Sequence, residues 1–269
     1  MDDLMPAIDF AGFIDDLATR SGAVILPHFR TSLESLDKNA GGHFDPVTEA
    51  DRSAESLIRD LIRQKFPDHG IIGEEFGSEN ADADYVWVLD PIDGTKSFIS
   101  GLPMWGTLIA VQHRGRPVYG MMHQPFTRER FFGDGTVARW RGMSPAGAQV
   151  ERILRTRLCK SLASATLMTT SPLLFSSAHL ARYRRVEDEV RLHRYGGDCY
   201  AYCMLAAGHV DLVVESGLNA YDIAALIPVI EGAGGIVTTW EGGSAAQGGS
   251  IVAAGDARLH AQVLGLLAV

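Results

Sequence analysis

The hydrophobic pattern of this chain changes period along its length, and this change limits the folds that the chain can adopt. Residues 54–66 repeat apolar side chains at helical spacing, whereas residues 70–133 contain apolar runs with a period close to two, which is typical of strands. From residue 160 onwards, short apolar strands alternate with helical segments, as in layered α/β proteins. We therefore expect an α+β half at residues 1–140 and an α/β half at residues 141–269.

Several individual elements can be predicted from local patterns. A first helix is expected over residues 7–29, and a second starts at "TEAD", where Thr48 is placed to act as its N-cap. The intervening "TSLESLDKNAGGHFDPV" predicts a loop or loose hairpin. "YVWVLD" predicts a buried strand, and "GTLIAVQHRG" with "RPVYGMMHQP" predicts a hairpin. The Gly-, Ser- and Arg-rich residues 134–160 predict a crossover between the halves, and "YDIAALIPVIEGAG" predicts one helix.

Composition excludes several classes of function. The net charge of −9 argues against nucleic-acid binding, because phosphates require a basic face. No apolar run approaches the roughly 20 residues that span a bilayer, so no membrane partner is expected. The acidic start "MDDLMPAIDF" lacks the basic residues of a secretion signal, which favours a cytoplasmic protein. Cys159, Cys199 and Cys203 form no zinc-type spacing, so we expect reduced thiols in the core.

The stretch "VWVLDPIDGTKSF" carries the clearest chemical signal. Asp90 ends an apolar strand, Pro91 fixes the backbone after it, and Asp93 follows three residues later. Carboxylates placed in this way offer the oxygen ligands that Mg²⁺ prefers. Gly94 permits an unusual φ and Thr95 can start a helix, whose free N–H groups would suit a phosphate.

Two other phosphate-handling motifs fit this stretch less well. A haloacid dehalogenase-type phosphatase has DxDGT, but position 91 is Pro here and the nucleophilic Asp is missing. A Walker loop requires GxxxxGK[ST], which does not occur. A metal-dependent phosphatase therefore explains the residues better.

Three motifs occur in order along the chain: "IIGEEFG", "LDPIDGTKSF" and "AYDIAAL", preceded by "DPVTEAD". Together they resemble the inositol monophosphatase superfamily over nearly the whole chain. Tyr221 replaces the usual Trp before the last Asp and keeps an aromatic ring there. The resemblance implies a five-layered αβαβα sandwich of the inositol monophosphatase and fructose-1,6-bisphosphatase type. It also implies a homodimer that hydrolyses a small-molecule phosphate monoester with two to three Mg²⁺ ions per active site.

The resemblance further implies a role for each motif residue. The first Mg²⁺ would be held by Glu74, Asp90 and the Ile92 carbonyl, and the second by Asp90, Asp93 and Asp222. Glu74 and waters would hold a weaker third ion, with Asp51 behind it. The catalytic residues would be Glu74, Thr95 and Asp51, and the phosphate would be bound by Asp93, Gly94 and Thr95.

The mechanism implied is in-line attack by a metal-activated water, oriented by Thr95, with no phosphoenzyme. Metal ions fit so slow a hydrolysis, because one general base supplies only about 10²–10⁴ in rate. Considered alone, Asp51 and Thr95 would each be helix caps, and Asp222 would be an acid at a helix start.

The substrate is expected to be recognised in the C-terminal half. The segment "YGGDCYAYCMLAAGHVDLVVESGL" resembles the histidinol-phosphatase branch, in which GGDCYAY replaces a GSAAL-type sequence, and Lys96 with Ser97 points the same way. Histidinol phosphate carries an ammonium and an imidazole, with which Asp198 and Glu215 would pair. The substrate-binding residues implied are Gly197, Asp198, Glu215 and Asp222.

The leaving alcohol stays open at this stage. Glu215 would equally accept hydroxyl groups of inositol, and Asp198 would serve as a helix cap. Inositol monophosphate, other sugar phosphates, and a nucleotide or bisphosphate are therefore alternatives to histidinol phosphate. A different class of function is a non-enzymatic regulatory or scaffold member of the superfamily, against which the intact set of motif residues argues.

Overall fold

The computed structural model describes residues 9–31, 35–37 and 46–268, with the backbone alone described at residues 35–37 and 46–48. Its helices are α1 (Phe10–Ile25), α2 (Glu49–Lys65), α3 (Thr95–Ile99), α4 (Ser177–Glu187), α5 (Asp198–Ala206), α6 (Ala220–Ile223), α7 (Leu226–Gly232) and α8 (Ala257–Leu267). Its strands are β1 (Ser35–Asp37), β2 (Pro46–Thr48), β3 (Gly70–Gly73), β4 (Gly77–Glu79), β5 (Tyr85–Asp93), β6 (Gly106–His113), β7 (Arg116–Gln124), β8 (Glu129–Gly133), β9 (Ala138–Met143), β10 (Gln149–Ile153), β11 (Thr166–Thr169), β12 (Leu192–Tyr195), β13 (Leu212–Leu218), β14 (Ile236–Thr239) and β15 (Gly249–Ala254). Short 3₁₀ helices occur at Leu26–His28, Leu162–Ser164 and Pro172–Leu174.

Within these residues the N-terminal part builds one large sheet in the order β10-β9-β8-β7-β6-β5-β3-β4. Its neighbours are antiparallel except for β3 and β5, which run parallel. The predicted buried strand and the predicted hairpin are therefore confirmed as β5 and as β6–β7. The loose hairpin is also found, because β1 and β2 pair antiparallel. The side chain of Thr48, expected to cap α2, lies outside the described residues.

The prediction of a crossover at residues 134–160 is wrong for most of that segment. β9 and β10 form an antiparallel hairpin that extends the large sheet at its edge, with Ile153 opposite Arg139. Alternate residues of β9 are buried, and the exposed Arg139 pairs with Glu151 on β10. The arginines therefore belong to the solvent face of an edge strand. Their polar side chains made the alternation of apolar and polar residues hard to recognise in the sequence. The large sheet continues past residue 140 to Ile153, and the division into two halves stays a prediction.

The C-terminal part forms a second sheet in the order β12-β11-β13-β15-β14. β11 is parallel to both β12 and β13, whereas β15 is antiparallel to β13 and β14. Parallel neighbours need a crossover, and α4 and α5 provide the helices between these strands. The strand–helix alternation predicted from the sequence is confirmed.

Helices and sheets stack in five layers. α1 and α2 pack on one face of the large sheet, α5 and α7 lie between the two sheets, and α4 and α8 cover the outer face of the smaller sheet. Each interface has its own apolar cluster; the middle one joins Leu108 and Met122 of the large sheet to Val229 of α7 and Ile251 of β15. The expected αβαβα sandwich is confirmed.

The helix predicted over "YDIAALIPVIEGAG" is divided into α6 and α7. Pro228 lacks the N–H that would bond to the Ala224 carbonyl, and its ring opposes a continuous helix there. The break lets α7 lie flat on the large sheet, where a Cβ at Gly120 would fall 2.0 Å from the Ala225 carbonyl oxygen. A side chain at position 120 would therefore keep α7 off the sheet.

The described helices include none that is both long and apolar enough to traverse a bilayer. Cys159, Cys199 and Cys203 are all free and buried, as predicted.

Candidate active site

The parallel pairing of β3 and β5 brings two predicted metal ligands together. Gly73 lies opposite Leu89, so the next residues, Glu74 just after the end of β3 and Asp90 within β5, lie side by side. The Glu74 N–H donates to the Leu89 carbonyl at 3.2 Å, which extends the ladder by one step. The carboxyl ends of parallel strands are a common place for sites in α/β proteins, and here they place two carboxylates at one edge.

The spacing of Asp90 and Asp93 is explained by an irregularity in β5. Asp90 pairs with Leu108 and Asp93 pairs with Gly106, so three steps on β5 correspond to two steps on β6. Residues three apart on a regular strand point to opposite faces, but one extra residue brings them to the same side. The Ile92 N–H donates to the Asp90 carboxylate at 3.1 Å and fixes this turn.

Asp222 reaches the same place from the other half of the chain. It lies in α6 directly after β13, and its carboxylate accepts the Asn219 N–H at 2.6 Å in a capping box. One ligand oxygen from each of Asp90, Asp93 and Asp222 lies within 4.8 Å of the others. The structure thus assembles a three-carboxylate cluster from segments 130 residues apart.

The cluster is electrostatically strained. Burial raises the pKa of Asp90, which is only 2% exposed, well above its usual value, and neighbouring negative charges raise it further. Those charges come from Glu74, Asp93, Asp222 and Asp51. Burial, followed by the charges of Asp198 and Asp222, likewise raises the pKa of Asp93. Such a cluster fits hard divalent cations, which take oxygen ligands and would neutralise the repulsion.

The segment after the cluster carries the predicted phosphate-binding residues. Gly94 has a φ of +83°, and an added Cβ would lie 2.9 Å from the Met104 carbonyl oxygen. Thr95 begins α3, and its hydroxyl donates to the Ile92 carbonyl at 3.1 Å. With Glu74, Asp90, Asp93 and Asp222, these residues line a cavity of about 190 Å³.

Asp51 lies buried in the first turn of α2. Its charge contributes to the raised pKa of Asp90, so it belongs to the surroundings of the cluster. That Asp51 orients Thr95 stays a prediction.

A buried glutamate on the same helix holds the turn that carries Glu74. The Glu55 carboxylate accepts the N–H groups of Glu75 at 2.8 Å and Phe76 at 3.2 Å, and it pairs with Arg59 at 2.7 Å. A Cβ at Gly73 would fall 2.1 Å from Glu55 Oε1, so glycine leaves room for this carboxylate. The glycine of the "GEE" motif thus permits the contact that fixes the turn.

A second cavity, of about 350 Å³, adjoins the first. The two share Asp93, Thr170, Leu174, Asp198 and Asp222, and the larger one also contains Glu215, Tyr202 and Ser216. Three of the predicted substrate-binding residues therefore line the larger cavity: Asp198 and Asp222 at the wall shared with the smaller cavity, and Glu215 in the larger cavity alone. Gly197 is not among the described lining residues; it is the N-cap of α5, with a φ of +114°.

Glu215 is held rigidly in this cavity. Its carboxylate accepts the Thr169 hydroxyl at 3.1 Å and the Thr170 N–H. Burial raises the pKa of Glu215 to about 7, although the bonds from Thr170 and Thr169 oppose that shift. A bound cation would compensate the burial of this carboxylate.

Asp198 adopts a φ of +43°, which is unfavourable for a residue other than glycine. Its carboxylate accepts the Ser97 hydroxyl at 3.0 Å. Burial raises the pKa of Asp198, against hydrogen bonds from Ser97 and Thr170 and the charge of Lys96. The next residue, Cys199, donates its N–H to Asp93 at 2.7 Å, so the start of α5 joins the metal cluster to the second cavity.

Sequence reasoning missed several lining residues, namely Thr170, Leu174, Tyr202 and Ser216. Tyr202 and Ser216 lie within the C-terminal segment expected to recognise the substrate, although neither was singled out there, and Thr170 and Leu174 belong to no motif. Thr170 directly follows β11, and its place at the carboxyl end of a parallel strand is a signal that could have identified it.

Comparisons with known proteins agree with this geometry. The model of the inositol monophosphatase family matches residues 9–268. The chain is 46% identical to the bifunctional phosphatase IMPL2, chloroplastic, of Arabidopsis thaliana, over 95% of this chain and 74% of that protein. It is 35% identical to a histidinol-phosphatase of Mycobacterium tuberculosis, over 98% and 96% of the two chains. It is 31% identical to the Nus factor SuhB of Haemophilus influenzae, over 88% of each.

Solved structures give the same result. An inositol monophosphatase from Zymomonas mobilis superposes with a TM-score of 0.84 at 38% identity, over 98% of this chain and 100% of that one. An inositol monophosphatase from Thermotoga maritima superposes with a TM-score of 0.79 at 28% identity, over 97% of each. This chain therefore belongs to the inositol monophosphatase family.

Proposed function

We propose that this protein is a Mg²⁺-dependent phosphomonoesterase whose preferred substrate is histidinol phosphate, which it hydrolyses to histidinol. The observation that carries the substrate assignment is the pair of constrained carboxylates, Asp198 and Glu215, in the cavity beside the acidic cluster. Carboxylates withdrawn from water favour a cationic ligand over a neutral polyol. Relatives that are 46% and 35% identical, a bifunctional phosphatase and a histidinol-phosphatase, support a phosphatase of this kind.

The cluster supplies a suitable set of metal ligands. Glu74, Asp90 and the Ile92 carbonyl would hold one Mg²⁺, and Asp90, Asp93 and Asp222 would hold a second, with Glu74 contributing to a weaker third. Bound Mg²⁺ would neutralise the phosphate charge and acidify a water molecule for attack on phosphorus.

The chain's own groups would position the phosphate. Gly94 and Thr95, at the start of α3, line the smaller cavity, and their N–H groups would donate to phosphate oxygens. The Thr95 hydroxyl, which lies 3.1 Å from the Ile92 carbonyl oxygen, would orient the attacking water with help from Asp51. The fixed backbone of this turn keeps these donors in place.

The leaving alcohol would extend from the smaller cavity into the larger one. Asp198 lies on the lining of both, so it would meet the part of the substrate nearest the phosphate. Glu215 lines only the larger cavity and would pair with a cationic group of the alcohol. Thr170 hydrogen-bonds with both carboxyls and would keep them at a fixed spacing.

The assignment is tested by phosphate release with Mg²⁺ from four esters. They are histidinol phosphate, inositol-1-phosphate, fructose-1,6-bisphosphate and adenosine 3′,5′-bisphosphate. We expect the highest kcat/KM with histidinol phosphate. A preference of more than tenfold for inositol-1-phosphate would overturn the substrate assignment and leave the phosphatase assignment in place.

A matched variant sharpens this test. Glu215→Gln keeps the shape of the side chain and removes its charge. A hydrogen-bonded charge pair contributes about 1.5–3 kcal/mol, so kcat/KM for histidinol phosphate should fall by roughly 10- to 150-fold. Hydrolysis of inositol-1-phosphate should change by less than about threefold, because that substrate brings no cation.

Inositol monophosphate is the second candidate, favoured by the likeness to the Zymomonas mobilis inositol monophosphatase. The relatives named Nus factor SuhB also keep open a regulatory role without catalysis. A purified protein that releases no phosphate from any of the four esters, yet binds a partner protein, would favour that role. Assembly as a homodimer is proposed, and analytical ultracentrifugation would test it; a cytoplasmic location stays a prediction.

A further inference from the structure

A short turn after β11 brings two leucines to the active site. Ser171 begins the 3₁₀ helix Pro172–Leu174, and its side chain accepts the Leu173 N–H at 3.3 Å. Pro172 and Phe175, on either side of the leucines, are both buried, and Phe175 packs in the apolar cluster beneath α4 and α8. The turn is therefore anchored at both ends, while Leu173 and Leu174 between them stay exposed.

The two leucines differ in their surroundings. Leu173 is 91% exposed and is not among the described lining residues of either cavity. Leu174 is 53% exposed and lines both cavities. Among the described residues that both cavities share, Leu174 alone is apolar; the others are Asp93, Thr170, Asp198 and Asp222. About half of Leu174 is thus open to contact at the place where the alcohol would pass from one cavity to the other.

Leu218 adds a second apolar side chain to the larger cavity. It ends β13 and packs against the middle apolar cluster, which fixes its position. Glu215 pairs with Ile251 and Leu218 with Gly249, so three steps on β13 correspond to two steps on β15. The extra residue brings Glu215 and Leu218 to the same side of the strand. One strand therefore supplies the cavity with both a carboxylate and an apolar group.

This combination distinguishes between kinds of alcohol. A polyol carries a hydroxyl group on each carbon, and covering those groups with leucine would remove their water without a hydrogen bond in return. Methylene groups and the face of an aromatic ring lose no hydrogen bond against leucine and gain from the burial of apolar surface. The apolar wall therefore favours an alcohol with a hydrocarbon or aromatic body.

We propose that Leu174, together with Leu218, contacts the hydrocarbon part of the alcohol and determines specificity for an apolar body over a polyol. The inference rests on the proposed function. In histidinol phosphate the contacting part comprises the methylene groups and the face of the imidazole ring, while the cationic groups pair with Asp198 and Glu215.

The test compares Leu174→Ser with the matched control Leu173→Ser in the full-length protein with Mg²⁺. Both side chains are exposed, so both variants should unfold within about 2 °C of the wild type. Leu174→Ser should raise KM for histidinol phosphate about fivefold, keep kcat within twofold and leave KM for inositol-1-phosphate within twofold. Leu174→Met, which conserves the apolar volume, should recover most of this loss. Leu173→Ser should change neither KM by as much as twofold.

The inference is overturned if Leu174→Ser changes the ratio of kcat/KM for these two esters by less than twofold, or if Leu173→Ser changes the ratio equally.

A second pair of esters separates this inference from the proposed substrate. 2-Phenylethyl phosphate and glycerol 1-phosphate have alcohols without a cation and differ in their apolar body. Measured as substrates or as competitive inhibitors, 2-phenylethyl phosphate should lose more than twofold relative to glycerol 1-phosphate in Leu174→Ser. A smaller loss would overturn the role of Leu174 even if histidinol phosphate is preferred. The larger loss would uphold that role even if the wild type prefers another of the four esters.

Discussion

Replacing Asp93 by Asn would separate the effect of the acidic cluster on the stability of the protein from its role in turnover. Asp93 Oδ2 accepts the Cys199 N–H at 2.7 Å, and the side-chain oxygen of Asn can accept the same bond. The substitution therefore keeps the shape and the hydrogen bond while it removes one negative charge. We expect Asp93→Asn to stabilise the metal-free protein and to abolish turnover.

The sign follows from the raised pKa of Asp93. The folded state binds a proton more tightly than the unfolded state does, so the stability of the metal-free protein falls as pH rises from about 4 towards the raised folded pKa. Asn does not ionise, so it causes no such loss of stability as pH rises. The variant should therefore gain most at neutral and alkaline pH and gain nothing well below pH 4.

The magnitude can be bounded from the geometry. The ligand oxygens of Asp90, Asp93 and Asp222 lie within 4.8 Å of one another. Two unit charges at that distance repel by about 3.5 kcal/mol at an effective dielectric constant of about 20. Proton uptake relieves most of this repulsion, so we expect a gain of about 1–3 kcal/mol, or an unfolding temperature roughly 2–10 °C higher.

Thermal unfolding at pH 7.5, in EDTA and in Mg²⁺, would measure the effect. Mg²⁺ should raise the unfolding temperature of the wild type, and should raise it less in Asp93→Asn, which keeps the proposed ligands of the first ion and loses one ligand of the second. The control is Asp211→Asn: this buried carboxylate pairs with Arg157 at 2.6 Å and accepts the Thr166 N–H at 2.7 Å, so its neutralisation should destabilise the protein. Equal destabilisation by both substitutions would refute the repulsion argument, and wild-type turnover by Asp93→Asn would refute the two-metal proposal.

Three further predictions concern Glu55, Glu215 and Gly94. Glu55→Gln loses the ion pair with Arg59, so it should raise the Mg²⁺ concentration for half-maximal activity by about tenfold and change substrate KM at saturating Mg²⁺ by less than twofold. An unchanged Mg²⁺ titration would contradict a role of Glu55 in placing Glu74. Because Glu215 has a pKa of about 7 and binds a cation only when ionised, KM for histidinol phosphate should fall about tenfold between pH 6 and pH 8, and a pH series on Glu215→Gln should be flatter. Gly94 has a φ of +83°, so Gly94→Ala should lower the free energy of unfolding, measured in urea, by about 1–3 kcal/mol and lower kcat/KM at least tenfold. An unaffected kcat/KM would exclude close contact between this turn and the phosphate.

Periodicity predicted most strands and helices because each had a uniform burial pattern. β5, with seven consecutive buried residues, and α2, with one apolar face, show this plainly. The prediction failed where polar side chains stood on an exposed face: β9 and β10 form an edge hairpin whose arginines pair with glutamate across the strands. The local composition there resembles that of a loop, and only the pairing of β9 with β8 distinguishes an edge hairpin from a loop.

The sequence by itself determined the chemical groups of this site and their order along the chain. "GEE", "DPIDGT" and "AYD" specify oxygen ligands, a glycine turn and a helix start, since each depends on residue types and short spacings. The tertiary structure decided which of them meet. The bulge in β5 turns Asp90 and Asp93 to one side, and the packing of α6 against β5 adds Asp222. The cavity wall of Thr170, Tyr202 and Glu215 comes from three elements of the C-terminal half, and no local spacing encodes it. Contacts between distant segments depend on sheet register and layer packing, which is why the cavity that Asp198 and Glu215 line could be described only from the folded chain.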